Sequence, residues 1–254
     1  MSANPEAGSA GKRAGFALTP QQVEFFQTFG FLKLPRLFTA GETAEIAGGF
    51  EEVFEGYEDP AREDVHVIKE SRLHTNDRFH DNPRRYLIPH IVDRNPRLSW
   101  LNQDPRVRGI AQDLLGEGYE SASSDGSLFF CETSWHPDFY MTRKERHHIK
   151  LSIYLESLRH DSGAIRVLPG THFYMGEYHR RLWRLMQMTT EQIQERFGVS
   201  HDELPSYTID TDPGDLVVWD FRIVHASFNG APRRRLLSIN FREFWPPEKE
   251  AGNQ

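Results

Sequence analysis

The sequence contains a single cysteine, Cys131. One cysteine excludes an internal disulfide framework and a zinc site built from cysteines, and it is typical of a protein in the reducing cytoplasm. No apolar run approaches the ~20 residues that a membrane-spanning helix requires. An excess of basic residues is also missing, because the formal net charge is -7. We therefore expect a cytoplasmic protein that binds neither membranes nor nucleic acids, since phosphate backbones require a basic surface.

Aromatic side chains are plentiful by contrast: 18 of the 254 residues are Phe, and 38% of the chain is hydrophobic. This composition predicts a globular core. Residues 1–15 lack the apolar segment of a secretory signal, so we expect a disordered leader there. Residues 16–254 are predicted to form a single domain, because one β-rich domain of this size is common. The sequence leaves the oligomeric state open.

Helix signals concentrate in the first half of the chain. Thr19, Thr39 and Asp104 are predicted N-caps, and each is followed by residues that favour a first helical turn. Gly30 is the predicted end of the first helix, and the second helix is expected to reach about Tyr57.

Strand signals dominate from residue 127 onwards, where short runs of β-branched and aromatic residues are separated by Gly, Pro, Asp and Asn. The predicted strands span residues 128–130, 150–155, 165–168, 216–219 and 236–241. Residues 178–197 predict a helical insertion, and residues 60–103 predict loops with one or two short strands. Helices followed by many short strands indicate a mainly β fold with flanking helices, in the form of a β-sandwich or jelly roll.

His136 and Asp138 are candidate metal ligands, because residues i and i+2 of an extended strand point to the same side. A neutral imidazole and a carboxylate suit a borderline metal such as Fe(II). The pair alone is a weak signal, since the chain contains 12 His. The signal becomes specific with His225, which follows a predicted buried strand, and with three arginines at positions 233–235 where the next strand begins.

Two imidazoles and one carboxylate on one face of a metal leave the opposite positions open for a bidentate cosubstrate and O2. A 2-oxo acid also needs a cation for its distal carboxylate, and the planar guanidinium of arginine forms two hydrogen bonds with such a group. Alternation along the strand directs inwards either Arg234 or both Arg233 and Arg235.

From Leu18 to about Phe244, the sequence resembles the phytanoyl-CoA dioxygenase family of Fe(II)/2-oxoglutarate oxygenases. Four segments carry the resemblance: residues 18–32, Trp135–Asp138, Asp161–His172 and Gly214–Ser227. The resemblance implies a double-stranded β-helix, a cupin-like jelly roll with the metal at its mouth. It also implies Fe(II) as cofactor and 2-oxoglutarate and O2 as cosubstrates.

Residue by residue, the resemblance assigns the metal ligands His136, Asp138 and His225. Arg234 is the implied clamp for a carboxylate of 2-oxoglutarate, although the preceding turn is short for the family, so that Arg233 and Arg235 remain open. Ser227 is a further implied cosubstrate contact.

Strand residues Ser152 and Tyr154 are additional candidates for the cosubstrate pocket. Some relatives are halogenases that carry Gly or Ala in place of the ligand carboxylate. Because this chain has Asp138 there, the resemblance favours hydroxylation or a related oxidation over halogenation.

The predicted substrate contacts are His74, Arg72 and His148, and the expected substrate is a small molecule, with a tailoring role in secondary metabolism. A group of four arginines also raises the hypothesis of an anionic substrate: Arg72, Arg78, Arg84 and Arg85. The simpler interpretation is that they are solvated charges on loops. Two alternatives come from other classes. One is a zinc hydrolase that uses two histidines and one aspartate with a water, and the other is a non-catalytic jelly-roll binding protein.

Overall fold

The computed structural model describes residues 16–68, 85–138, 146–173 and 176–246. Its strands are β1 (Phe31–Leu34), β2 (His66–Ile68), β3 (Arg85–Pro89), β4 (Glu120–Phe129), β5 (Thr133–His136), β6 (His148–Tyr154), β7 (Ile165–Val167), β8 (Tyr207–Ile209), β9 (Leu216–Asp220), β10 (His225–Ser227) and β11 (Arg234–Arg242). The predicted leader, residues 1–15, lies outside the described residues.

The strands form two antiparallel sheets. The larger sheet has seven strands in the order β1-β9-β6-β11-β4-β3-β2, and the smaller has four in the order β5-β10-β7-β8. Side chains from both sheets share one apolar cluster, in which Tyr154 and Val217 of the larger sheet pack with Ile165 and Ile209 of the smaller. The predicted mainly β jelly roll with flanking helices is confirmed.

The helices are α1 (Pro20–Phe29), α2 (Ala40–Phe54), α3 (Ile91–Arg94), α4 (Pro96–Ser99), α5 (Pro105–Leu115), α6 (Gly176–Met186) and α7 (Thr190–Phe197), with 3-10 turns at Trp100–Gln103 and His201–Glu203. Thr19, Thr39 and Thr189 each accept a hydrogen bond from the backbone of the third helical residue and form capping boxes. In the described part of the chain, no helix is long and apolar enough to cross a membrane.

Alternation along the strands separates the two faces of the larger sheet. Leu151 and Leu237 point outwards into the main core, where they pack with Ile46 and Phe50 of α2. Phe50 is fully buried, so truncation to alanine would cost ~3–5 kcal/mol of stability. The residues that alternate with these leucines along β6 and β11, such as Ser152, point inwards to the interior of the jelly roll. The helices therefore fix the orientation of the sheet, and the sheet directs every second side chain to the site.

Several element boundaries differ from the sequence-based predictions. Strand β4 begins at Glu120 and not at residue 128, because β11 pairs with its whole length, including the Ser-rich first half, whereas β3 pairs with Asp125–Phe129. Helix α2 ends at Phe54, three residues earlier than predicted. The predicted single helical insertion is two helices, because Thr189 caps a new helix there.

The segment predicted as loops between residues 60 and 103 contains more structure than expected. Strands β2 and β3 are present, but so are α3, α4 and a 3-10 turn. Asn95 explains part of this, because its side chain accepts a hydrogen bond from Arg97 N and caps α4, with Pro96 in the first turn. Residues 69–84 lie outside the described residues.

Candidate active site

Two histidines face each other across the ladder between β5 and β10. His136 is the last residue of β5, His225 is the first of β10, and the two are register partners. Their rings lie 4.4 Å apart, centroid to centroid. Direct cross-strand partners project to the same side of a sheet, so the pairing brings both imidazoles into one pocket although 88 residues separate them in sequence.

Asp138 completes the cluster two residues after His136. Its backbone N–H donates to the carbonyl oxygen of Phe221, 2.8 Å away, in the turn that leads from β9 to β10. This bond holds the end of β5 against the approach to His225. The ligand atoms of the two imidazoles and the carboxylate all lie within 4.8 Å of one another, which is the spacing that a single metal ion requires.

Backbone carbonyls set the tautomer of both imidazoles. Nδ1 of His136 lies 2.6 Å from the carbonyl oxygen of Ser134, and Nδ1 of His225 lies 3.0 Å from that of Ile223. A carbonyl oxygen only accepts, so each Nδ1 carries the proton and donates it. Nε2 of each ring is therefore left as the lone-pair donor for a metal. Burial, with the neighbouring His225 ring, lowers the pKa of His136 to about 3, which keeps this ligand neutral.

Two donors hold the Asp138 carboxylate. The ammonium of Lys150 lies 2.8 Å from Oδ2, and the indole N–H of Trp219 donates to the same oxygen at 3.1 Å. Burial by itself would raise the pKa of Asp138, but the positive charge of Lys150 and the adjacent imidazoles hold it well below the usual range. The carboxylate is thus ionised and oriented. Two neutral imidazoles and one carboxylate fit Fe(II) with open coordination positions.

Arg234 occupies the same cavity, at the start of β11. Its guanidinium donates to the carbonyl oxygens of Gly163 at 2.8 Å and Cys131 at 2.6 Å, and to Oγ of Ser227 at 3.1 Å. Nε is buried and has no hydrogen-bond partner among the described residues. This orphaned donor is consistent with a site that an additional acceptor, such as the carboxylate of a cosubstrate, completes.

Two glycines make room for this guanidinium. A Cβ at Gly163 would lie 2.7 Å from Nη1 of Arg234, and a Cβ at Gly230 would lie 2.2 Å from its Nε. Gly163 also has a φ of +91°, which side chains with a Cβ rarely adopt. The Asp161-Ser162-Gly163 turn and the Asn229-Gly230 turn therefore have a packing role at the cavity.

The other two arginines of the cluster point elsewhere. Arg233 has a φ of 65° and a side chain that is 55% exposed. Arg235 is tied to Glu51 at 2.6 Å and to Glu156 on the outer side of the sheet. The sequence allowed either Arg234 alone or both Arg233 and Arg235 to point inwards. In the structure, Arg234 is the one that points inwards.

Of the remaining predicted cosubstrate contacts, Ser227 and Tyr154 line the cavity and Ser152 does not. Ser227 lines the cavity and lies 3.2 Å from Oγ1 of Thr133. Tyr154 also lines it, and burial raises the pKa of its hydroxyl. Ser152 shares the inward face of β6 but is fully buried, and its Oγ has no partner among the described residues. It does not line the cavity wall formed by the described residues.

Of the three predicted substrate contacts, the structure describes one, His148. His148 begins β6 on the same face as Lys150, with its ring 5.4 Å from that of Phe221. Its Nδ1 donates to the carbonyl oxygen of Arg146 at 3.0 Å. Arg72 and His74 lie outside the described residues.

Sequence reasoning missed Lys150, Trp219 and Phe129, which face the site, and it named Arg85 only as one of four arginines behind the hypothesis of an anionic substrate. Lys150 had a usable signal: it shares the parity of Ser152 and Tyr154 on a strand whose intervening residues are apolar. A lysine at an inward position of such a strand indicates a buried partner. Trp219 is buried, and its indole N–H donates to the carboxylate of Asp138.

The two-sheet jelly roll with a His–Asp–His cluster and an inward arginine defines the class of non-haem iron oxygenases that use a 2-oxo acid. The model of the phytanoyl-CoA dioxygenase (PhyH) family matches residues 26–235. The chain belongs to this family. The expectation of Fe(II), 2-oxoglutarate and O2 is thereby confirmed at the level of the family, and the cluster supplies the donors that iron needs.

No curated protein matches the chain in sequence. Among solved structures it is similar to the non-haem α-ketoglutarate-dependent carbocyclase SnoK from nogalamycin biosynthesis, with 18% identity over 89% of this chain and 84% of that one and a TM-score of 0.65. EctD from S. alaskensis with bound Fe has 18% identity over 89% and 77%, with a TM-score of 0.63.

HygX from Streptomyces hygroscopicus, with nickel and 2-oxoglutarate bound, has 15% identity over 90% of this chain and 88% of that one and a TM-score of 0.64. At these identities, the three structures show a common fold. They include a carbocyclase, so the fold by itself does not determine the outcome of the oxidation.

Proposed function

We propose that this protein is an Fe(II)/2-oxoglutarate-dependent dioxygenase that hydroxylates a small-molecule metabolite. The observation that carries the proposal is one cavity that contains both the metal-ligand cluster and a buried arginine with an unused donor. His136, Asp138 and His225 would hold the iron, and Arg234 with Ser227 would hold the distal carboxylate of 2-oxoglutarate. Bound iron with 2-oxoglutarate supplies an O2-dependent oxidation that releases succinate and CO2.

The protein's own contribution is binding, orientation and shielding. The carbonyls of Ser134 and Ile223 present Nε2 of both imidazoles, and Trp219 and Lys150 fix the carboxylate of Asp138. Tyr154 and Leu236 add a wall that limits the access of water to the centre. The Ile223 carbonyl lies in the turn before β10, and the other contributions come from strands of the two sheets, so the centre rests on rigid elements.

Asp138 is the argument for hydroxylation over halogenation. A halogenase needs a coordination position for chloride, and a carboxylate at the ligand position occupies it. The carboxylate here is ionised and is held by two donors. Ring closure and epimerisation remain compatible with the same ligand set.

The described part of the cavity argues against the zinc hydrolase. A hydrolase needs a general base beside the metal-bound water. Among the described lining residues, Asp138 is the single carboxylate, and it belongs to the ligand cluster. A hydrolase also does not need an arginine clamp for the carboxylate of a cosubstrate. The cytoplasmic location and the role in secondary metabolism stay predictions.

The test is the formation of succinate from 2-oxoglutarate in the presence of Fe(II), ascorbate and air. We expect Fe(II)-dependent succinate formation by the wild type and its loss in Asp138→Asn, which keeps the shape of the side chain but removes its charge. Asp212→Asn is the matched control, because Asp212 is an exposed carboxylate paired with Arg159 on the surface.

Two results would contradict the proposal. One is wild-type turnover by Asp138→Asn, which would remove Asp138 from the ligand set. The other is firm retention of zinc with no succinate formed under any condition, which would favour the hydrolase.

A further inference from the structure

Arg85 stands in a row with Arg234 across three neighbouring strands. Phe129 of β4 is the register partner of Arg234 on β11 and also of Arg85 on β3. The guanidinium of Arg234 lies 5.5 Å from the centroid of the Phe129 ring, and that of Arg85 lies 5.7 Å from it. Direct cross-strand partners share a face, so both cations point into the cavity with the aromatic ring between them.

Within the described part of the chain, Arg85 is a cation without a committed partner. Among the described residues, none forms a hydrogen bond or an ion pair with its guanidinium. The carboxylates that act on it through their charge are Asp138 and Asp125. Asp138 is engaged by Lys150 at 2.8 Å, and Asp125 accepts a hydrogen bond from the amide of Asn240 at 2.7 Å. Both carboxylates act on Arg85 through space and neither forms an ion pair with it, so its guanidinium keeps its hydrogen-bond donors for another acceptor.

The described lining of the cavity has an excess of positive charge. The described residues that line it include three cations, Arg85, Lys150 and Arg234, against the single carboxylate of Asp138. Fe(II) and the dianion of 2-oxoglutarate cancel each other, so loading the site leaves this excess unchanged. A buried charge without a counter-ion is unfavourable, and burial indeed lowers the pKa of Arg85. An anionic group from another molecule would complete the site.

The cosubstrate does not account for this position. One carboxylate of 2-oxoglutarate chelates the metal in this family, and the other is assigned above to Arg234 and Ser227. Strands β11 and β3 are separated by β4, which places their backbones ~10 Å apart. The planar guanidinium of Arg85 thus faces a part of the cavity that 2-oxoglutarate leaves open, near the metal ligands whose charge it senses.

We propose that Arg85 binds a carboxylate or phosphate group of the primary substrate and so orients that substrate beside the metal. The inference rests on the proposed function, and it narrows the substrate to an anionic small molecule. It also revises the interpretation of Arg85 as a solvated loop charge, because the residue lies on a sheet strand and lines the cavity.

The test measures binding to the full chain loaded with Fe(II) and saturated with 2-oxoglutarate under anaerobic conditions, so that Arg234 is already occupied. The probes are propionate, inorganic phosphate and, as the neutral match for propionate, propionamide. Binding is followed by calorimetry at constant ionic strength. Arg85→Gln removes the charge, Arg85→Lys keeps the charge but loses the two-pronged geometry, and Arg180→Gln is a control for a surface arginine of α6 paired with Glu177.

We expect the wild type and Arg180→Gln to bind propionate or phosphate more tightly than propionamide. Arg85→Gln should bind the anion at least about tenfold more weakly, as expected for a lost charged hydrogen bond, with Arg85→Lys in between. The affinity for 2-oxoglutarate should be the same in all four proteins. Which anion binds more tightly identifies the carboxylate or the phosphate as the group recognised.

Three results would overturn the inference: no preference for the anions over propionamide, equal anion binding by Arg85→Gln and the wild type, or an equal loss of 2-oxoglutarate and anion binding in Arg85→Gln. The last would make Arg85 a cosubstrate contact. Failure of the proposed function is distinguishable, because it would show as no Fe(II)-dependent binding of 2-oxoglutarate by the wild type before any probe is added.

Discussion

The ammonium of Lys150 lies 2.8 Å from Oδ2 of Asp138, inside the cavity of the jelly roll. Lys150 is the register partner of Trp219 in the ladder between β6 and β9, and both side chains reach that one oxygen. The ladder therefore sets the orientation of a candidate metal ligand that lies on neither strand. Lys150 contributes charge and orientation together, whereas the indole N–H of Trp219 contributes orientation without a change in net charge.

Trp219→Phe should weaken Fe(II) binding by about 10–100-fold, the usual effect of losing an outer-sphere partner of a metal ligand. The substitution keeps an aromatic ring at a buried position but removes the hydrogen bond to Asp138. Anaerobic titration with Fe(II) measures the dissociation constant. Trp100→Phe is the matched control, because the indole N–H of Trp100 donates to the backbone carbonyl oxygen of Arg97 in the helical layer. Equal iron affinity in the two variants would show that the bond to Asp138 is dispensable.

The three arginines at the start of β11 should separate in their effect on 2-oxoglutarate. Arg234→Gln is expected to raise the KM for 2-oxoglutarate by about 10–100-fold, because a charged two-pronged contact with a carboxylate is lost. Arg233→Gln should leave that KM unchanged, since its side chain is largely exposed. Steady-state succinate formation at varied 2-oxoglutarate concentration measures the KM of each variant.

Arg235→Gln is the more demanding control in this series. It removes contacts with Glu51 and Glu156, so it should lower the melting temperature while leaving the KM for 2-oxoglutarate unchanged. A raised KM in Arg233→Gln or Arg235→Gln, with none in Arg234→Gln, would reassign the cosubstrate contact.

Gly163→Ala tests whether the turn before β7 shapes the arginine site. The added Cβ would lie 2.7 Å from Nη1 of Arg234, at a backbone φ of +91°. We expect a higher KM for 2-oxoglutarate together with a loss of stability of about 1 kcal/mol from the positive φ. Gly198→Ala is the matched control, because Gly198 also has a positive φ, +73°, but a Cβ there meets nothing within 4 Å. If both variants lose stability and neither changes the KM, the turn has no part in the site.

The three candidate metal ligands could be predicted from the sequence because their signal is local chemistry, and the structure brings them together. The His136-x-Asp138 spacing and the later His225 needed only the periodicity of a strand, together with the resemblance to a family. Arg234 was harder, because the choice among three adjacent arginines depends on parity, and parity is set by packing: Leu237 enters the core under α2, which turns Arg234 inwards.

The place of Arg85 in the site and the partner of Lys150 could not be found in this way, for a different physical reason. Their role depends on the order of strands in the larger sheet, in which β6 lies between β9 and β11 and β3 lies beside β4. These neighbours are far apart in sequence, and no local pattern encodes their adjacency. The same holds for the first half of β4, whose residues have low strand propensity and are held by pairing with β11.

Acid should selectively weaken the contact between α2 and α5. Arg106 donates to the carboxylates of Glu42, at 2.6 Å, and Asp104, at 2.7 Å. The hydrogen bond from Arg106 lowers the pKa of Glu42 from 4.5 to about 2, against the opposing effect of partial burial. A carboxyl group with a lowered pKa in the folded state stabilises the fold above its unfolded value, and this contribution is lost as the pH falls towards the folded value.

Arg106→Gln should therefore lower the free energy of unfolding by about 1–3 kcal/mol at neutral pH. The difference from the wild type should shrink as the pH falls from about 5 to about 2, because both proteins then hold protonated carboxyls. Chemical denaturation across this range measures it. Arg108→Gln is the control on the same helix, since Arg108 donates to the uncharged groups of Gln103 and Tyr119. A difference for Arg106→Gln that is as independent of pH as that for Arg108→Gln would show that the contact contributes through packing and not through charge.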